Sequence, residues 1–192
     1  KLDADGVCRG DCRTRQQTIA DPWAIRAIVP SDCAIRFADL LQGPQHTALG
    51  ASLADFVVRR KDGLHAYQLA VVVDDAAQGI THVVRGSDLL DSTPRQIFLQ
   101  QRLAYATPSY AHLPVITTGQ GQKFSKQNHA PALDNDHAVT NLRHALRFLH
   151  QADPPAMLNA VEPLLAYAIE HWALQQVPAT MTIAANSIGL GI

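Results

Sequence analysis

The run Leu69-Ala70-Val71-Val72-Val73, closed by Asp74-Asp75, constrains the fold more than any other stretch. It is continuous, apolar and rich in β-branched residues, which predicts a strand at the centre of a sheet, buried on both faces. Upstream, Asp55-Phe56-Val57-Val58-Arg59-Arg60 predicts a second strand. Lys61-Asp62-Gly63 between them predicts a turn with glycine at positive φ, so that Leu64 to Val73 returns as the next strand. Further strands are predicted at Trp23 to Val29, ended by Pro30, at Ile35 to Asp39, at Val83 to Gly86 and at His112 to Ile116. Gly43-Pro44 predicts a turn.

Helices are predicted where apolar spacing changes to a period near 3.6. One covers Arg95 to Ala104 behind a Ser92-Thr93-Pro94 start, another Ala138 to Leu149, stopped by Asp153-Pro154-Pro155. A third runs from Leu158 to Leu174. Pro163 falls near its first turns and offers an alternative start, with Asn159 or Glu162 as cap. The tail beyond Pro178 carries no strong pattern. The fold class is therefore α/β, with a small helical region at the end.

At 192 residues the chain is long enough for one domain with a sizeable core. Apolar residues at 47% and charged residues at 17% describe a globular chain rather than a disordered one. The net charge of −1 gives no global field for a polyanion, so nucleic-acid binding would need a local basic patch. Three cysteines argue against a disulfide framework. No apolar run approaches a membrane span and no signal peptide opens the sequence, which places the expected location in the cytosol.

Several residues carry possible chemistry. Lys123-Phe124-Ser125-Lys126-Gln127-Asn128 follows an apolar run and a polar, glycine-containing turn, Thr117 to Gln122. Lys123, Ser125 and Lys126 offer two cations and a hydroxyl to a phosphate on which charge develops, and the same residues also suit a solvated loop. Arg85 followed by Gly86 suits presentation of a guanidinium into a cleft, where its fork takes a carboxylate bidentately. An exposed surface arginine is the plainer alternative. Asp74 and Asp75 fit either a site at the carboxyl end of a strand or a cap of the following helix. Tyr67 fits a binding pocket or packing on the sheet, and His112 a structural role. Cys8 and Cys12, four apart around Gly10, fit two zinc ligands or two incidental thiols. Cys33 reads as a core thiol. Arg143, His144 and Arg147 form a candidate nucleic-acid-facing stripe or a solvated helix face.

Taken together, Tyr67-Gln68-Leu69-Ala70-Val71-Val72-Val73-Asp74-Asp75, then Gly79-Ile80-Thr81-His82-Val83-Val84-Arg85-Gly86-Ser87-Asp88-Leu89-Leu90, then Thr93-Pro94-Arg95-Gln96 and the lysine loop resemble the second half of the catalytic domain of class I glutamyl-tRNA synthetases. They are more closely similar to the shortened paralogues of that family, the glutamyl-Q tRNA(Asp) synthetases. Lys123 to Asn128 stands where those proteins carry the KLSKQN form of the KMSKS loop. The likeness runs from about Cys8 to about Val177.

The resemblance implies the C-terminal half of a Rossmann-like catalytic domain. Residues 1–30 would be the remnant of a zinc-bearing insertion and linker, 31–128 the second half of the α/β domain, and 129–192 a helical C-terminal region. It implies ATP-dependent activation of glutamate as glutamyl-adenylate and transfer of the glutamyl group to queuosine in the anticodon of tRNA(Asp). Lys126 would contact ATP, Lys123 and Ser125 would shape the loop, and Tyr67 and Arg85 would hold L-glutamate. Mg²⁺ would accompany ATP, and Cys8 and Cys12 would supply half of a zinc site whose other pair lies before Lys1. A monomer is expected. The family's HIGH-like motif is absent, so the chain is expected to begin mid-protein with an incomplete site. The alternatives are a truncated glutamyl-tRNA synthetase charging tRNA(Glu), and a non-catalytic tRNA-binding remnant. The short stretch after Asn128 and the Lys126-Gln127-Asn128-His129-Ala130-Pro131-Ala132-Leu133 continuation favour the glutamyl-Q family.

Overall fold

A computed structural model describes residues 22–52, 55–118, 120–123 and 133–185. The chain forms two compact units. The first takes the chain as far as Val83 together with Leu89–Ala111, and the second takes Val84–Asp88 together with the chain from His112.

In the first unit, β1 (Ile25–Ala27) pairs antiparallel with β4 (Phe56–Arg59), Ala27 opposite Phe56. Asp55, almost fully buried, ties this ribbon down. Its carboxylate accepts from the Val29 amide at 2.9 Å, and its carbonyl accepts from Arg26 Nη1 at 2.7 Å. A second sheet has the order β3-β2-β6-β5. Here β2 is Ile35–Asp39, β3 Gly43–Thr47, β5 His82–Gly86 and β6 Ser109–Leu113. β2 and β3 are an antiparallel hairpin, and β2 joins β6 in parallel at Asp39 and Tyr110. The predicted turn at Gly43-Pro44 lies one step earlier. Residues 40–42 turn, and Gly43, at φ +72°, already pairs with Asp39. The Asp39 carboxylate accepts from the amides of Leu41 and Gln42, which closes that turn from the side.

The principal correction concerns Leu64 to Val73. Only His65 bridges back to β4, and the chain then enters helix α2 (Tyr67–Ala77). A short apolar run does not distinguish strand from buried helix by period. Burial does: Val72 is buried and Leu69 half-buried on one helical face, whereas Val73, which a strand would bury with Leu69 and Val71, is exposed. Tertiary packing overrides the β-branched propensity here. α2 packs on α3 (Thr93–Arg102) through an amide chain. Gln96 Nε2 donates to Gln68 Oε1 at 2.9 Å, and Gln68 Nε2 donates to Ser92 Oγ at 3.0 Å. That chain ends on Ser92. It stands at the N-cap of α3, yet its hydroxyl makes no capping bond. Asp74 and Asp75 lie in the last turns of α2 and neither end a strand nor open a helix.

The core gathers Val29, Ile35, Leu49, Val72, Ile97, Phe98, Leu99 and Tyr110. Phe56 meets Phe98 edge to face, as Phe37 meets Tyr110. Cys33 packs half-buried against this core, and burial pushes its thiol up from its ordinary value.

In the second unit, β7 (Val115–Thr117) pairs in parallel with β8 (Thr182–Ala184). The tail that shows no pattern in the sequence thus supplies a strand. α4 (Ala138–Phe148) packs on α5 (Val161–Glu170) around Leu146, Phe148 and the fully buried Leu164. α5 is shorter than the predicted Leu158 to Leu174, begins from an Ala160 N-cap, and holds Pro163 in its first turn, where a missing N–H costs nothing.

Candidate active site

In the second unit the end of β5 delivers Arg85, and the end of β6 delivers His112. His112 is fully buried, and Arg85 Nε donates to its Nε2 at 3.0 Å. A guanidinium has no acceptor, so His112 must present a lone pair at Nε2. In this geometry the ring is neutral and carries its proton on Nδ1. Sequence reading gives His112 a structural role and Arg85 a binding role; the structure joins the two through one hydrogen bond.

Downstream of Arg85, Gly86-Ser87-Asp88 is threaded between two other segments. Ser87 Oγ donates to the Met181 carbonyl, which also accepts from the Val115 amide at 3.0 Å. The chain entering β8 thereby holds both the start of β7 and the segment after Arg85. A side chain at Gly86 would displace the Asp88 carboxylate. A Cβ there would lie 2.4 Å from Asp88 Oδ1 and 3.1 Å from Val115 Cγ1.

β7 leads into the polar turn that the sequence marks. Thr118 N donates to the Gln122 carbonyl at 2.8 Å, and Thr118 Oγ1 accepts from the Gln120 and Gln122 amides. Gly121 supplies the positive φ of 79°. Lys123 bridges back to Thr117, and its ammonium lies 2.5 Å from Asp88 Oδ2. Asp88 is a residue that sequence reading does not single out. An acid two residues after Gly86 was visible, but a partner 35 residues away was not.

Ser125, Lys126, Cys8 and Cys12 lie outside the described residues. Tyr67 opens α2 in the first unit and is half exposed. Also in the first unit, Arg95, Asp91 and Thr47 border a cleft of about 330 Å³, and none of the predicted site residues lines it. Arg143 is engaged by the segment that follows α4. Its guanidinium donates to the carbonyls of Pro154, Pro155 and Leu158 at 2.6, 2.8 and 2.8 Å. Arg147 pairs with Asp153 at 2.9 Å. Among the described residues no group of three or more His, Cys, Asp or Glu side chains is placed to hold a metal ion, and no helix is long and apolar enough to cross a membrane.

The model for the catalytic domain of class I tRNA synthetases (E and Q) matches residues 9–149. The chain is 50% identical over 181 residues to the glutamyl-Q tRNA(Asp) synthetase of Neisseria meningitidis serogroup A, covering 91% of this chain and 60% of that protein. It is 46% identical over 180 residues to the protein of that name from Pseudomonas fluorescens, covering 93% and 59%. For the Thiobacillus denitrificans protein the identity is 48% over 181 residues, covering 93% and 58%. The chain thus spans about three fifths of the length of these curated relatives. Among solved structures it is similar to glutamate-tRNA synthetase from Elizabethkingia anophelis, at TM-score 0.62 and 24% identity over 86% of this chain and 37% of that one. It is similar also to a glutamate tRNA ligase from Elizabethkingia meningosepticum in complex with its amino acid, at TM-score 0.65 and 22% identity with the same coverage. The predicted α/β fold is the fold of these proteins, and the chain belongs to the class I tRNA synthetases (E and Q), as part of their catalytic domain.

Proposed function

We propose that this chain is the second half of the catalytic domain of a glutamyl-Q tRNA(Asp) synthetase. The observation that carries the reading is the identity of 46–50%, over more than nine tenths of the chain, to proteins of that name. The arginine held at the end of β5 is consistent with it. In the proposed reaction an oxygen of the glutamate α-carboxylate attacks the α-phosphorus of ATP, and the bond to the bridging oxygen of pyrophosphate breaks. A hydroxyl of the queuosine cyclopentene ring then attacks the glutamyl carbonyl, loses its proton, and releases AMP. Activation and transfer both depend on alignment and on donors placed where charge grows.

Each residue has a task in this reading. Arg85 holds a glutamate carboxylate through its fork, with Tyr67 lining the amino-acid pocket. Lys126 stabilises the leaving pyrophosphate, and Ser125 adds a donor. Lys123, paired with Asp88, fixes the base of the loop. Mg²⁺ is carried in on the ATP phosphates. Zinc on Cys8 and Cys12 enters no step. Action on tRNA fits a cytosolic protein.

Transfer of labelled glutamate by the complete gene product tests the reading. Labelling of tRNA(Asp) that carries queuosine, with none of tRNA(Asp) lacking it, is the expected result. Labelling of tRNA(Glu) instead would assign the chain to a glutamyl-tRNA synthetase, and labelling of neither would leave the non-catalytic remnant.

A further inference from the structure

We infer that His112 is a positioning residue for the amino-acid substrate, acting through Arg85. The inference rests on the proposed role of Arg85 and adds a residue to it. His112 is fully buried, so water cannot replace the bond it accepts from Arg85 Nε. Nε is the inner nitrogen of the guanidinium. A bond there fixes the rotation of the whole planar fork, and a bidentate carboxylate contact depends on that angle. Arg85 lies on β5 and His112 on β6, so the anchor joins two strand ends rather than two loops. Side chains that bind well are those whose own rotamers are locked by a supporting bond. The α-carboxylate is the one that reacts, so the carboxylate gripped throughout is that of the side chain, bound equally in ground and transition states. Loosening the grip therefore raises KM and leaves kcat in place.

The test is glutamate-dependent pyrophosphate exchange by the complete gene product, in the parent and in His112→Leu, His112→Gln and Arg85→Ala. Leucine fills the space without an acceptor, and glutamine sets an amide oxygen near the position of Nε2. The expected result is a rise in glutamate KM of about tenfold for His112→Leu with kcat within about threefold, and a KM within about threefold of the parent for His112→Gln, the pattern of lost uniform binding. Should His112→Leu fail to fold, as read by thermal unfolding, His112→Met takes its place with the same expectation. The inference is overturned if glutamine and the acceptor-free variant behave alike, or if kcat falls while KM stays. If Arg85→Ala leaves the glutamate KM unchanged, it is the role of Arg85 itself that fails.

Discussion

The Lys123 ammonium and the Asp88 carboxylate meet at 2.5 Å across 35 residues of sequence. The pair ties the foot of the lysine loop to the segment that leaves Arg85. Both side chains are partly exposed, so the pair contributes at most about 1 kcal/mol to stability. Its consequence is positional. Asp88→Asn is expected to leave the unfolding temperature nearly unchanged while raising the KM for ATP several-fold in pyrophosphate exchange. Steady-state kinetics at fixed glutamate check this, and an unchanged ATP KM would count against the anchoring role. Gly86→Ala should do the same, since its Cβ must push the Asp88 carboxylate aside.

Gly50 tests the packing of the first unit. It lies in the short helix α1 (Leu49–Ser52), and a Cβ there would sit 2.1 Å from the Pro30 carbonyl oxygen and 2.5 Å from that of Ser31. These are backbone atoms that cannot swing away. Gly50→Ala is expected to cost about 3 kcal/mol or more, at the upper end of overpacking effects, as read by urea denaturation.

Three helices end through a left-handed residue at the same position. Ile80 N donates to the Asp75 carbonyl beyond α2, Tyr105 N to that of Gln100 beyond α3, and Gln151 N to that of Leu146 beyond α4. The left-handed position is Gly79 in the first case but Ala104 and His150 in the others, at φ 56° and 53°. Ala104→Gly is therefore expected to stabilise the protein by about 1 kcal/mol, because the Cβ penalty disappears. A thermal melt showing destabilisation would contradict the capping account.

How far the sequence could be read depended on the range of the interactions. Gly63, Gly121 and the Thr93-Pro94 helix start are local signals, and the structure places turns and a start where they occur, whereas α4 stops at Phe148, through left-handed His150, before Asp153-Pro154-Pro155 is reached. Leu69–Val73 was misread because a short apolar run suits strand and buried helix alike, and its helix packs on α3, far along the chain. β8 was invisible because a three-residue strand carries too little pattern, and its partner β7 defines it. At the site, Arg85-Gly86 and the lysine loop were legible as motifs. The contacts of His112 with Arg85 and of Asp88 with Lys123 were not, since each joins strands or turns distant in sequence.

Arg143 separates a structural arginine from a nucleic-acid contact. Three carbonyls beyond α4 are bound by one guanidinium, so Arg143→Ala should cost about 2–3 kcal/mol, given that hydrogen bonds to charged groups exceed neutral ones. Affinity for tRNA should be unchanged at temperatures where the variant is folded. A filter-binding assay with an altered salt slope would instead return Arg143 to the interface.

The central claim is that the loop at 123–128 completes a site for activating glutamate. Glutamate-dependent pyrophosphate exchange by Lys126→Ala in the complete gene product tests it most directly. The account predicts a loss of about 10²–10³-fold in kcat, as for removal of a donor at developing charge, with the fold retained. Exchange at close to the parent rate would contradict it.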